Sequence, residues 1–189
     1  MKQLSEIPIS ILELALVTKG SDFTQTFDKT VAIAQKADEL NYNRIWFAEH
    51  HNMAHVASSA TVVLIGHIAG KTKNIRVGSG GIMLPNHSPL VVAEQFGTLE
   101  SLYPHRIDLG LGRAPGTDQL TAQALNKDFY QAAQKFPQHV SQLLQYFSGE
   151  NSSSKVRAFP GENADVPIWI LGSSMDSAVL AARPKSIRL

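Results

Sequence analysis

The sequence predicts an α/β fold, a parallel sheet with helices packed outside it, on three observations. Short aliphatic runs alternate with amphipathic stretches along most of the 189 residues. Two of these runs, 75–77 and 107–111, lead into glycine, and Pro89–Leu102 between them is amphipathic, so the order there is strand, helix, strand. Parallel neighbours need such a long connection, and it crosses over right-handed. The composition, 43% hydrophobic and 17% charged, suits one globular domain with a real core. Pattern alone does not separate a barrel from an open doubly wound sheet. A complete eightfold barrel needs about 250 residues, more than this chain has.

Each element has a local reason. Residues 9–17 (ISILELALV) are aliphatic enough for a buried first strand, although Glu13 interrupts them. A carboxylate there must face a polar cavity or pair with a structural partner. Asp22 with Gln25 forms a capping box, and Phe27, Val31, Ala34 and Leu40 recur at helical spacing, so 22–40 is a helix. Residues 44–48 (RIWFA) are the second strand. Ser59 can cap a helix running to Ala69, with Gly70 as its stop. After the third strand, 75–77, and its glycines, Ser88 and Pro89 begin a helix whose inner face is Val92, Phe96, Leu99 and Leu102. The fourth strand is 107–111. Residues 117–147 are helical with a break at Pro137, and Val140, Leu143, Leu144 and Phe147 form an inner stripe. Residues 166–171 (VPIWIL) are a fifth strand, and 177–182 begin another helix.

The formal net charge of +1 gives no reason to expect nucleic acid or an anionic membrane surface as partner. There is no cysteine, hence no disulfide, thiolate nucleophile or cysteine metal site. No run approaches membrane length and no secretory leader pattern opens the chain, so a cytoplasmic protein is the expectation.

Glycines at strand ends allow another molecule close to the backbone, or simply make tight turns. The carboxyl ends of parallel strands are where α/β sites are built. Glu49, His50 and His51 stand at such an end; histidine can move protons near neutral pH, or the pair can be surface residues. Adjacent side chains of an extended chain point apart, which disfavours one metal between the two histidines. Arg113 follows Gly110 and Gly112, where a guanidinium suits a phosphate or an anionic ring carbonyl, or is an ordinary surface arginine. The segment is not a dinucleotide fingerprint, because the third glycine, Gly116, comes too late. Gly172, Ser173 and Ser174 end the fifth strand before a helix and make either an anion pocket or a helix cap.

RIWFAEHHN (44–52), VGSGGIMLPNHSPLVVAEQFGTLESLYPHRIDLGLGRAPGTD (77–118) and VPIWILGSS (166–174) resemble the bacterial luciferase-like flavin monooxygenases, in order and to about Ala182. The resemblance implies an incomplete (β/α)8 TIM barrel of about five parallel strands over 1–182, with 183–189 as a tail unlike the family. It implies reduced FMN from a separate flavin reductase, or less readily a deazaflavin, together with O2 and a small organic substrate. His50 matches the family's active-site histidine. Gly80 and Gly81 fall where the family places a cis peptide beneath the flavin ring. Arg113 matches an arginine near the flavin phosphate or ring edge, and Gly172, Ser173 and Ser174 match a phosphate-contacting loop. The family continues for about three more βα units, so the expectation is a truncated chain with exposed sheet edges that forms a homo-oligomer. Two other readings stand beside a monooxygenase: a non-catalytic partial barrel that binds flavin or self-assembles, and a metal-dependent hydrolase using His50. Added FMN separates the first from the third, and oxygen uptake with reduced FMN separates it from the second.

Overall fold

The structure, a computed structural model, describes residues 3, 7–182 and 187–188. Its centre is one parallel sheet in simple chain order: β1 (Ser10–Glu13), β2 (Arg44–Phe47), β3 (Arg76–Met83), β4 (Ile107–Gly112), β5 (Ile168–Ile170) and β6 (Ile187–Arg188). Sequential order with every pair parallel is the arrangement of a barrel wall, so the five expected strands form a partial α/β barrel. The segment expected to be a tail, 183–189, lies outside the described residues except for β6, which pairs with β5.

Among the described residues, seven α-helices lie between and beside these strands: α1 (Phe23–Glu39), α2 (Thr61–Lys71), α3 (Pro89–Leu102), α4 (Gln119–Leu125), α5 (Phe129–Gln134), α6 (Phe136–Phe147) and α7 (Met175–Ala182). The capping box at Asp22 and Gln25 closes as expected. The expected face of α1 is met in part: Ala34 is buried and Phe27 and Val31 pack against the core, with Thr26, Thr30 and Ala37 buried beside them, but Leu40 is 58% exposed just past the end. Small side chains win that position because α1 must lie close to α2 and the sheet. Leu102 is likewise turned outward, and Ala93, Gly97 and Glu100 join Val92, Phe96 and Leu99 on the buried side of α3.

Several boundaries differ from the sequence reading for identifiable reasons. β1 stops at Glu13 because Ala15 has φ +52°, and the Glu13 carboxylate accepts the Ala15 N–H at 2.6 Å. β3 does not end before its glycines but runs through them to Met83, with a register shift between Ser79 and Ile82. Glycines 78, 80 and 81 are strand residues, not a loop. α2 begins at Thr61, not Ser59, and its Oγ1 bonds the Ala48 and Ser58 carbonyls. Gly70 is inside that helix, where an added Cβ would sit 2.9 Å from the Tyr103 hydroxyl. The long helical stretch breaks at Asn126–Asp128 and again at Lys135, ahead of Pro137, which occupies the first turn of α6.

The sheet has two faces of different character. One packs under the helices, with Ile45, Phe47, Val77, Ile107, Leu109 and Ile168 against Phe96, Leu99, Val140 and Leu143. The other carries Leu12, Trp46, Gly78 and Asp108 in one register row. Asp108 is fully buried and accepts bonds from Arg44 Nε (2.9 Å), Arg76 Nε (2.6 Å) and Trp169 Nε1 (2.9 Å). The Arg44 guanidinium also lies over Trp46 and Trp169, which meet edge to face at 5.6 Å. One carboxylate thus ties β2, β3, β4 and β5 together.

Candidate functional site

Two cavities open at the carboxyl ends of the strands and share Leu171. The larger, of about 720 Å3, lies past β4 and β5. Its polar wall is Arg113, Ser173, Ser174 and Ser177; its apolar wall includes Met83, Ala114, Tyr130, Ala133 and Leu171. The smaller, of about 250 Å3, lies on the sheet face between Leu12, Trp46, Ser79, Gly80, Trp169 and Leu171. Among the described residues, no acidic side chain lines the larger cavity, to which Arg113 contributes a positive charge. A lining that combines an arginine and hydroxyl donors with apolar side chains suits an amphipathic anion.

The sequence explains the shape. A Cβ at Gly80 would lie 2.9 Å from Trp46 Cβ, and one at Gly81 would lie 2.7 Å from the Gly110 carbonyl oxygen. Glycine is what lets β3 press against its neighbours here. The Gly80–Gly81 peptide is cis. At Gly172 a Cβ would fall 2.1 Å from Ser177 Oγ, so only glycine allows the chain to turn from β5 into α7. Ser174 is both cap and wall: its Oγ and carbonyl take the Ser177 N–H while it faces the larger cavity.

The expected residues therefore divide. Arg113, Gly172, Ser173 and Ser174 share the larger cavity, and Gly80 lines the smaller. Gly81 packs beneath Leu171, which belongs to both. His50 lines neither. It leaves the end of β2 with Nδ1 3.2 Å from the Gly116 carbonyl oxygen. A carbonyl only accepts, so Nδ1 carries the proton and Nε2 of the neutral ring is an acceptor.

Beside it lies a cluster that sequence reasoning recognised only in part. Glu49 Oε1 accepts from His51 Nε2 (3.0 Å) and His87 Nε2 (2.9 Å), and Oε2 accepts from the Met83 N–H (3.1 Å). Burial pushes the Glu49 carboxyl up, but the bonds and charge from His87, His51 and Met83 outweigh it and hold the group below its ordinary value. Nearby, Asp118 caps α4 and is drawn down to about 2 by the Thr121 hydroxyl and N–H; Asn52 bonds that same hydroxyl. His87 gave no signal beyond lying in a loop, and Tyr130 and Gln134 none beyond helical spacing; tertiary packing alone brings them to the site. Among the described residues, no three His, Asp or Glu side chains are arranged to hold a metal ion, and no helix is long and apolar enough to cross a membrane.

Comparison with known proteins shows what the chain is similar to. The family model described as luciferase-like monooxygenase matches residues 9–184. A luciferase-like monooxygenase of Escherichia coli (strain K12) is 50% identical over 177 residues, covering 94% of this chain and 53% of the relative. An N-acetyl-S-alkylcysteine monooxygenase of Bacillus subtilis (strain 168) is 39% identical, covering 94% and 54%. The crystal structure of apo-MsnO8 superposes with a TM-score of 0.86 at 38% identity, over 94% of this chain and 53% of that one. Two more distant structures share the fold. The oxygenating constituent of 3,6-diketocamphane monooxygenase in complex with FMN has a TM-score of 0.68 at 18% identity, over 88% and 51%. An F420-dependent secondary alcohol dehydrogenase has 0.68 at 16%, over 93% and 56%. The chain spans about half the length of the curated relatives it matches. A parallel barrel wall with its cavities at the strand ends, and a family match over nearly all of that wall, lead to one conclusion: the chain belongs to the luciferase-like monooxygenase family.

Proposed function

We propose that this chain carries the flavin-holding part of a flavin-dependent monooxygenase that oxygenates a small organic substrate with O2. The observation that carries the reading is the larger cavity, which Arg113 and the Gly172–Ser174 turn line from two strand ends together with apolar side chains. Reduced FMN, delivered by a separate reductase, is the cofactor we favour, and a deazaflavin the second choice; both kinds of cofactor occur among the structural neighbours. The residues present fit FMN: a guanidinium and hydroxyls for a phosphate, and Met83, Leu171 and Tyr130 for a flat ring. When bound, reduced flavin supplies the electrons that activate O2.

The chain's own residues have separable tasks. Arg113 holds and orients the anionic end, with Ser173 and Ser174 donating beside it. Met83 and Leu171, with Trp46 and Trp169 below, keep water out of the reacting space. His50 accepts or returns a proton at Nε2, its Nδ1–H held by the Gly116 carbonyl.

Titration of the purified chain with FMN, riboflavin and a deazaflavin, read by flavin fluorescence, tests the reading. FMN is expected to bind tighter than riboflavin, and oxygen uptake is expected when reduced FMN and the right substrate are present. Indifference to all three flavins would overturn it.

A further inference from the structure

Glu49 contributes to neither cavity wall, yet it is 1% exposed and takes three hydrogen bonds. Desolvating a carboxylate is costly, so its partners must compensate, and they do so in a directional way. An ionised carboxylate has acceptors only. Both histidine nitrogens that face it, His51 Nε2 and His87 Nε2, must therefore carry protons. His50, between Glu49 and His51 in sequence, has the opposite arrangement, since its Nδ1 faces a carbonyl oxygen.

We propose that Glu49 is a positioning residue: it locks His51 and His87 as Nε2–H tautomers and ties the end of β2 to the end of β3. This rests on the flavin-oxygenase reading of the site. Neither clasped histidine can release its inward proton without leaving a buried carboxylate short of a donor. Proton exchange at those two rings is then confined to Nδ1, whereas His50 exchanges its proton at Nε2. The bond from the Met83 N–H to Oε2 extends the same control to the cavity, because Met83 is part of its wall. Holding the two strand ends together keeps the His50 ring and the Met83 wall in one arrangement.

Long-range 1H–15N NMR of the histidine rings in the full 189-residue chain, without flavin and at mildly alkaline pH, tests the proposal. His51 and His87 are expected to show Nε2–H and His50 Nδ1–H. A Nδ1–H or mixed pattern at His51 or His87 would overturn it. In Glu49→Gln both rings face the same carboxamide atom, so they are expected to hold Nε2–H together or switch to Nδ1–H together while His50 keeps its pattern; a switch at one ring alone would overturn the proposal. If that variant does not fold, the wild-type spectrum alone decides. Under steady-state assay, Glu49→Gln is expected to lower kcat for flavin-dependent oxygen uptake about tenfold while FMN affinity changes less. Failure of FMN to bind would sink the flavin reading without touching the tautomers. A wrong tautomer pattern would sink the Glu49 assignment without touching flavin binding.

Discussion

At the scale of single residues, charge decides most outcomes. Arg113 is exposed at the cavity wall, and a charge-assisted bond to a phosphate is worth about 1.5–3 kcal/mol. Arg113→Ala is therefore expected to weaken FMN about ten- to a hundredfold and leave riboflavin affinity unchanged, measured by fluorescence titration. Glu49 sets a pH dependence of stability. Its native carboxyl lies below the ordinary value of 4.5, so its contribution is fully present above that value and is lost as pH falls through the lowered one. The stability difference between wild type and Glu49→Gln is expected to shrink on acidification through that window, as read by denaturant unfolding. The motif Glu49-His50-His51 was legible as chemistry from its place after a strand. Which imidazole faces which oxygen was not, because that depends on His87, far along the chain, and on the fold of β3.

At the scale of elements, contact distance matters more than propensity. α3 approaches the 158–162 turn so closely that a Cβ on Gly97 would lie 2.2 Å from Gly161 Cα. Backbone cannot yield there, and Gly97→Ala is expected to destabilise by about 1–3 kcal/mol in chemical denaturation. Gly66, in α2, is the control. Its Cβ would meet only Leu99 Cδ2 at 3.2 Å, the end of a flexible side chain, so Gly66→Ala is expected to be near neutral. Phe96 on α3 is fully buried against the sheet, and Phe96→Ala is expected to cost about 3–5 kcal/mol. The strand and helix sequence could be read from periodicity, because 107–111 and Pro89–Leu102 each obey one clear period. The inner faces of α1 and α3 could be read only in part: Ala34, Val92, Phe96 and Leu99 are buried as expected, whereas Thr26, Thr30, Ala93 and Gly97 join them without a hydropathy signal. Threonine, alanine and glycine were chosen for close approach, and hydropathy gives small residues little weight. The extent of β3 was missed for a related reason: glycines read as a loop unless neighbours such as Trp46 supply the bulk they lack.

At the scale of the molecule, an all-parallel sheet is normally covered on both faces. Here the helices cover one, while Leu12 on the other is 55% exposed near the smaller cavity. This polypeptide in isolation is expected to self-associate as its concentration rises, seen by light scattering, and a strict monomer at every concentration would contradict that. The barrel architecture was legible through long shared motifs, whereas alternation alone left the open sheet equally possible. The bonds that Asp108 receives from three other strands were invisible in the sequence, since nothing local pairs Arg44, Arg76 and Trp169 with one acid. Removing that acid's charge with Asp108→Asn strands two guanidinium groups, and a loss of about 3–5 kcal/mol is expected in equilibrium unfolding.

The same carboxylate has a consequence for assembly of the sheet. Successive residues of a strand point to opposite faces, so a slip by one position would send Asp108, Trp46 or Trp169 toward the greasy side and abandon both arginines. Misaligned pairings are thereby penalised by several interactions at once. The cluster proofreads the alignment of four neighbouring strands before the rims above them can become a site.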